Sequence, residues 1–234
     1  MAIPVLVIGK PGSGKTFSIK NFLPDEVGVI SVEKGRLPFK TDIKAVRPPK
    51  QYDVEAMASM AKDLGMSYDG KTTPQSYATI HRAKYAWIMS VIAKSKTPSI
   101  VIDDSQYLLV NEFFDRTGDK GFDKFTEMGA NFRNLIHAIN ELEDENKIVY
   151  FLHHCETDAE GYLKAKTIGK LLDEKLSIEG CFDIVIYCQD HKFFTQANGQ
   201  STAKTPEGMF ELEIPNDLKF VDNRIREYYG LKGE

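Results

Sequence analysis

Short apolar runs separated by polar stretches set the pattern of this chain. Five segments concentrate aliphatic residues: IPVLVI at 3–8, VGVISVEKG at 27–35, SIVI at 99–102, KIVYFLHHC at 147–155 and FDIVIYCQ at 182–189. Runs of this length, bounded by turn-forming or polar residues, are typical of buried strands. We therefore predict five strands that lie inside the molecule.

Helical periodicity fills the stretches between these runs. Helices are predicted at 54–63 and 74–94, and a further one directly after the first strand, where KTFSIKNFL repeats apolar residues at helical spacing. The clearest amphipathic helix covers 126–145, where apolar residues recur every three or four positions: Met128, Phe132, Leu135, Ile136, Ile139 and Leu142.

Strands that alternate with helices through two thirds of the chain indicate an α/β fold with a mostly parallel central sheet flanked by helices. The late segment 191–205 contains Asn198-Gly199, a favoured two-residue turn, and predicts a hairpin with antiparallel strands near the C-terminus. With 234 residues and 42% hydrophobic content, the chain is expected to form one domain over 1–234.

The segment GKPGSGKT, between the first strand and the first helix, fits the phosphate-binding pattern G-x-x-x-x-G-K-[ST]. Its glycines let backbone N–H groups turn toward phosphate oxygens, and the helix that follows directs its positive end at the same anion. Lys15 is expected to reach the β- and γ-phosphates, and the Thr16 hydroxyl to complete a Mg²⁺ shell. The predicted phosphate-binding residues are Gly9, Pro11, Gly12, Ser13, Gly14, Lys15, Thr16 and Phe17.

Asp103, which ends the run SIVI, is the predicted carboxylate for the same Mg²⁺. We expect it at the carboxyl end of a strand beside the one that leads into the phosphate loop, where ligands collect in parallel sheets. Asp104 follows it and either assists the metal or caps the next turn.

Hydrolysis needs a group that orients or deprotonates water, and Glu33, at the end of the second strand, is the predicted one. His153 and His154 end the fourth run, where a polar side chain can contact the γ-phosphate. A buried, hydrogen-bonded histidine is the competing interpretation for either position.

Composition narrows the function classes. A net charge of −4 argues against a uniformly basic nucleic-acid-binding surface but leaves room for a local one. The three cysteines are widely spaced without a C-x-x-C pair, so we expect reduced thiols and neither a disulfide framework nor a zinc site. No signal peptide and no run of about 18 apolar residues is found, which predicts a soluble cytoplasmic protein without membrane contact.

Together, the phosphate loop, Glu33, SIVIDDSQYL, the histidine pair and a late hairpin bearing lysine resemble the RecA-type ATPase core. The nearest resemblance is to the minimal form among phage AAA-family nucleotide-binding proteins, which include RecA-like single-strand annealing proteins. It implies Mg²⁺-dependent ATP hydrolysis, with Glu33 as catalytic base and His153 or His154 as γ-phosphate sensor, in the host cytoplasm if the protein is phage-encoded. Lys204 would complete a neighbour's site in a homo-oligomer formed through the core.

The resemblance also implies contact with single-stranded DNA through two loops, 111–125 and 155–170. Phe113, Phe114 and Tyr162 offer stacking faces. A solvated polar loop is the competing interpretation. The candidate DNA-binding cations are Arg116, Lys120, Lys124, Lys164, Lys166 and Lys170.

Three alternatives stay open beside an ATPase that acts on single-stranded DNA in phage-type recombination or replication. A small-molecule kinase needs an arginine-rich lid, but the only dense arginine stretch is DNRIREYYG at 222–230. A helicase loader would carry an arginine finger and a helical lid. A nucleotide-gated interaction module would bind ATP without useful turnover and dock a single-strand-binding or replication protein.

Overall fold

The computed structural model describes residues 1–33, 35–50, 54–63, 65–66, 74–169, 176–197, 199 and 201–231. Within these residues the strands are β1 Ile3–Gly9, β2 Val27–Ser31, β3 Ala45–Val46, β4 Ser99–Asp103, β5 Ile148–Thr157, β6 Leu163–Ala165, β7 Ile184–Gln189, β8 Lys192–Phe194 and β9 Glu213–Pro215. The α-helices are α1 Val54–Asp63, α2 Pro74–Lys94, α3 Tyr107–Asp115, α4 Asp123–Asn140 and α5 Leu218–Tyr229. Short 3₁₀ helices cover Thr16–Asn21 and Glu179–Cys181.

The described strands form one mixed sheet in the order β3-β2-β4-β5-β1-β7-β8-β9, with β6 paired to the end of β5. The six strands from β3 to β7 are parallel, whereas β8 and β9 continue the sheet in antiparallel pairing. This arrangement confirms the predicted α/β class, the mostly parallel sheet and the late antiparallel strands. The carboxyl ends of β1, β2, β4 and β5 therefore meet along one edge.

Period-two alternation along the strands supplies two apolar layers. In β1, Leu6 and Ile8 pack on one face of the sheet with α2, α3 and α4. Val5 and Val7 pack on the other face with α5 and the first 3₁₀ helix. Both faces are covered, which explains why the strands read as continuous aliphatic runs rather than as alternating ones.

A buried polar cluster fastens α5 to the amino-terminal ends of the central strands. The Asp222 carboxylate accepts hydrogen bonds from Ser99 and from Tyr150, and it pairs with the Arg226 guanidinium at 2.6 Å. Arg226 also donates to the backbone carbonyl of Asn146. These contacts give both buried charges hydrogen-bonded protein partners, because an unpaired buried charge would be strongly destabilising.

Three predicted elements differ in the structure. The segment after the phosphate loop is a 3₁₀ helix of six residues. It ends at Asn21, because Phe22 adopts an extended backbone and Pro24 follows. The first predicted DNA loop, 111–125, is partly helical, since α3 runs through Asp115 and α4 begins at Asp123. The late hairpin turns at Asp190 and His191, both with positive φ, while Asn198 lies outside the described residues.

None of the helices in the described part of the chain combines the length and the apolar character that a membrane-spanning segment needs.

Candidate functional site

The phosphate loop leaves β1 at the carboxyl edge of the sheet and is packed so tightly that two of its glycines cannot be replaced. A Cβ on Gly9 would lie 2.6 Å from the backbone oxygen of Cys188 on β7. Gly14 has φ +106°, and a Cβ there would lie 2.7 Å from Asn216 Nδ2 and 2.7 Å from His191 Nδ1. The glycines of the motif thus allow close approach as well as an unusual backbone conformation.

Lys15 is held inside the loop. Its Nζ donates to the backbone oxygen of Gly9 at 2.7 Å and to that of Lys10 at 3.0 Å, with 6% of the residue exposed. Burial lowers the pKa of this ammonium from its ordinary value. A phosphate is a stronger partner for this ammonium than two neutral carbonyls, because it carries the opposite charge and adds a Coulomb attraction to the hydrogen bonds.

Thr16 and Asp103 meet directly. The Thr16 hydroxyl donates to Asp103 Oδ1 at 2.8 Å, which joins the start of the 3₁₀ helix to the end of β4. The predicted adjacency of the two strands is wrong, because β5 pairs with both β1 and β4 and lies between them. The side chains bridge that extra strand from the face that carries the 3₁₀ helix.

The electrostatics of this pair fit a divalent cation. Burial, and then the neighbouring charge of Asp104, raise the pKa of Asp103 to about 6. A cation would relieve both effects by favouring the ionised carboxylate. Hydroxyl and carboxylate oxygens are also the ligands that Mg²⁺ prefers, so Thr16 and Asp103 are suited to hold its coordination shell.

A cavity of about 480 Å³ opens in front of the loop. Six of the eight predicted phosphate-binding residues line it, whereas Gly9 and Ser13 lie outside its lining. Sequence reasoning missed Arg36, Pro38, Tyr107 and His191 as lining residues, because no motif marks them. The lining consists of Pro11, Gly12, Gly14, Lys15, Thr16, Phe17, Arg36, Pro38, Asp103, Asp104, Tyr107, His154 and His191.

An aromatic wall closes one side of this cavity. The Phe17 ring contacts the Phe39 and His191 rings edge-on, each at a centroid distance of 6.1 Å. Lys20 Nζ lies 4.4 Å from the centroid of the same Phe17 ring. His191 reaches this wall because its backbone N–H donates to the Ser13 oxygen, which docks the β7–β8 turn onto the loop.

The two neighbouring histidines of β5 lie in different surroundings. His153 is fully buried, its Nδ1 lies 2.9 Å from Ser105 Oγ, and its Nε2 lies 2.8 Å from the Lys166 oxygen. Burial lowers the pKa of His153 to about 4. His154 lines the cavity, with Nε2 3.5 Å from Asp104 Oδ1. Of the two candidate sensors, only His154 is brought to the phosphate site.

Glu33 lies next to the cavity rather than in its lining. It sits two residues beyond β2, and its Oε1 accepts a hydrogen bond from Asn111 Nδ2 at 2.7 Å. It lines a neighbouring cavity of about 190 Å³, and Tyr107 forms part of the wall of both. Two acids do line the phosphate cavity, Asp103 and Asp104, and Asp104 has a φ of 59°.

Arg116 is buried and ion-paired, which argues against the predicted DNA contact. Its guanidinium bonds to Asp119 at 2.7 Å and to Glu112 and Glu127 at 2.8 Å, and 5% of the residue is exposed. Lys124 is engaged as well, since its Nζ donates to the backbone oxygens of Arg116 and Asp119. Sequence reasoning missed this because it cannot show that nearby acids bind the cations.

The remaining candidate DNA contacts belong to two segments of the chain. Lys120 is exposed between α3 and α4. Tyr162, 41% exposed, and Lys166, also exposed, flank β6, while Lys164 on that strand lies 3.7 Å from Glu156. Lys170 lies outside the described residues.

Lys204 is distant from the loop of its own chain. Its backbone exchanges two hydrogen bonds with Val185, which pairs with Leu6, three residues before the end of β1. The side chain is exposed. The structure thus does not bring Lys204 into its own phosphate cavity.

Comparison with known families gives one match. The sequence model described as an AAA domain matches residues 1–209, a range that includes the phosphate loop, Asp103, Asp104 and His154. The match ends before β9 and α5. No curated protein matches this chain.

Proposed function

The chain belongs to the AAA domain family of P-loop ATPases, and we propose that it binds ATP together with Mg²⁺ and hydrolyses it. One observation carries this proposal: the hydrogen bond of 2.8 Å between Thr16 and Asp103 beside the buried Lys15 ammonium. Two oxygen ligands suited to a cation and one cation suited to phosphate thus converge at the floor of a cavity.

In this proposal the chain's own groups bind and orient the polyphosphate. Backbone N–H groups of the glycine loop face the phosphate oxygens, and Lys15 exchanges its carbonyl partners for the β- and γ-phosphates. Bound Mg²⁺ would neutralise charge on the transferred phosphoryl group. Thr16 and Asp103 hold the shell of that ion.

We assign water activation to Asp104, with Glu33 as the alternative. Asp104 lines the cavity, and its Oδ1 lies 3.5 Å from Nε2 of His154, the proposed γ-phosphate sensor. Glu33 would first have to leave Asn111 and pass Tyr107. His154 is the proposed γ-phosphate sensor, because it pairs with Gly9 across the β1–β5 ladder and lines the cavity.

The decisive experiment compares four single variants for binding of labelled ADP and for ATP turnover. Lys15→Ala is expected to weaken binding about 10- to 100-fold, because it removes charge-assisted hydrogen bonds. Asp103→Asn should remove the Mg²⁺ dependence. Asp104→Asn should keep binding and abolish turnover, and Glu33→Gln should keep both. Loss of turnover in Glu33→Gln alone would return the catalytic role to Glu33.

Lys204 is proposed to act on the site of a neighbouring subunit, since it does not reach its own. Lys204→Ala should then lower turnover without changing ADP affinity. Mixing it with Lys15→Ala protein, which supplies Lys204 but has a defective loop, should restore part of the turnover. Absence of any restoration would contradict a shared site in a homo-oligomer.

Single-stranded DNA is the proposed substrate, and the β5–β6 hairpin the proposed contact. Tyr162 supplies an exposed ring and Lys166 an exposed cation, as backbone-tracking sites combine them. The double variant Tyr162→Ala/Lys166→Ala should weaken oligonucleotide binding at low salt. Arg116 is not used as a probe, because its loss would disrupt the buried ion pairs around it. Lys96→Ala, an exposed lysine just before β4 and outside the proposed DNA contacts, is the matched surface control.

An interaction module that docks a replication or single-strand-binding protein is the second candidate. It is favoured by the aromatic patch, which we define as Phe113, Phe114, Phe122 and Phe125. Phe114 is 65% and Phe122 75% exposed; the Phe114 ring contacts Phe113 edge-on, and the Phe122 ring lies tilted against Phe125. Nucleotide binding without turnover in the native protein, and no oligonucleotide binding at low salt, would favour this function over the first.

A further inference from the structure

Ser31 ends β2 with a side chain that is buried and has no hydrogen-bond partner. The residue is 1% exposed, and its Oγ is one of the few buried side-chain oxygens without a partner among the described residues. Buried hydroxyls are nearly always hydrogen-bonded, because leaving one unpaired forfeits its interaction with water. An unpaired hydroxyl in a native core therefore calls for a partner that arrives with a ligand.

The register of the sheet places Ser31 beside the proposed metal-binding carboxylate. Ser31 pairs with Asp103 across the parallel β2–β4 ladder. Two residues earlier, Val29 and Val101 pair in the same way, and both belong to the core layer under the first 3₁₀ helix. Since side chains alternate with period two, Ser31 and Asp103 lie on that same face, which is also the face from which Thr16 reaches Asp103.

We propose that Ser31 is a positioning residue for the Mg²⁺-loaded site: its hydroxyl donates to the Asp103 carboxylate or to a water in the ion's shell that this carboxylate holds. A turn about the single Cα–Cβ bond is sufficient to redirect the hydroxyl. The inference rests on the proposed function and names a residue that neither the phosphate-loop motif nor Asp103 itself indicates.

A purely structural role for Ser31 does not fit its surroundings. A serine that serves the fold has a partner, as Ser99 at the opposite end of β4 shows: its hydroxyl donates to Asp222. Ser18, behind the phosphate loop, likewise donates to the backbone oxygen of Lys15. Ser31 is as buried as these two, but its polar atom is unpaired and lies next to the site.

The test is the ratio of ADP affinities with Mg²⁺ and with a chelator, measured for native protein and for Ser31→Ala. We expect the ratio of ADP affinities to be roughly tenfold smaller in the variant than in native protein, which is the size of one hydrogen bond to a charged group. The ADP affinity measured in chelator should change little. Its thermal unfolding midpoint without nucleotide should be unchanged or higher, because an unpaired buried hydroxyl has been removed. Ser31→Cys, a near-isosteric weaker donor, should give an intermediate ratio.

Ser99→Ala is the matched control: it should lower the unfolding midpoint and leave the Mg²⁺ ratio at the native value. An unchanged ratio in Ser31→Ala, or equal weakening with and without Mg²⁺, would overturn this inference alone, since Ser31 would then only fill space. Native protein that binds no nucleotide under either condition would overturn the proposed function and the inference together.

Discussion

Gly9 shows how one missing side chain shapes the phosphate site. Because a Cβ there would lie 2.6 Å from a backbone oxygen of β7, Gly9→Ala forces the two strands apart. We expect a loss of about 1–3 kcal/mol in unfolding free energy, typical of overpacking, together with loss of ADP binding. Gly180→Ala is the control, since its Cβ would meet its nearest neighbour at 3.4 Å. Equal behaviour of the two variants in urea denaturation would refute the close contact.

His153 links stability to pH. Its pKa is lowered to about 4 from an ordinary value of 6.5, so between these values the unfolded chain binds a proton that the folded chain does not. This histidine therefore costs stability as the pH falls from 6.5 to 4, by up to about 3 kcal/mol. The difference in unfolding free energy between native protein and His153→Gln should therefore shrink as the pH falls from 6.5 to 4. Parallel stability profiles of the two proteins would contradict the buried neutral histidine.

At this scale the sequence indicates candidate site residues where a local backbone motif marks them. Lys15 and Thr16 follow from the loop pattern alone, and Asp103 from its place at the end of an aliphatic run. The ion pairs of Arg116 and the unpaired hydroxyl of Ser31 could not be predicted, because they depend on burial and on the placement of neighbouring side chains in three dimensions. For His153 the sequence left two interpretations open, and the structure shows the buried, hydrogen-bonded one. A charged or polar letter does not reveal whether its partner is water or another residue.

Among the elements, α5 depends most on a single buried pair. Asp222→Ala would leave the Arg226 guanidinium buried without its carboxylate, which typically costs about 3–5 kcal/mol. Lys219→Ala is the control on the same helix, since its ion pair with Glu26 is partly exposed and should contribute about 0–1 kcal/mol. Chemical denaturation followed by circular dichroism measures both. Similar midpoints for the two variants would show that α5 is held by apolar contacts alone.

The strands β1, β2, β4, β5 and β7 were predictable because each is an aliphatic run, but their order was not. The short strands β3, β6 and β9 were not predicted. Insertion of β5 between β1 and β4 is set by pairing between segments far apart in the chain, which periodicity does not encode. The segment 107–115 escaped prediction as a helix, since a short apolar run does not distinguish helix from strand.

The whole molecule should gain stability from its nucleotide. At a free ADP concentration of one hundred times its Kd, with Mg²⁺, binding adds about 2.7 kcal/mol to the unfolding free energy. For a chain of this length that corresponds to a rise of about 5–10 °C in Tm. Differential scanning fluorimetry should show this rise for native protein. Lys15→Ala at the same ADP concentration should show a much smaller one, and equal shifts would mean that ADP binds elsewhere.

At the molecular scale, sequence analysis correctly predicted an α/β fold of the P-loop ATPase type, because a phosphate loop and a strand-terminal acid together restrict the architecture. The family match supports that prediction over residues 1–209. Beyond that range, Asn216 contacts the back of the phosphate loop at Gly14, and α5 packs beside the first 3₁₀ helix. The C-terminal segment therefore contributes to the site without carrying any recognisable signature.

Strand β5 lies between β1, which leads into the phosphate loop, and β4, which ends at Asp103. It then continues without interruption into the hairpin whose tip carries Glu160. The Lys166 N–H bonds back to the His154 oxygen, so the hairpin and the cavity wall share one backbone. A fluorescent dye attached at position 160 should consequently change its emission when the cavity fills, although it sits outside that cavity. The tip of the β5–β6 hairpin is therefore the position we choose for a fluorescent reporter of cavity occupancy.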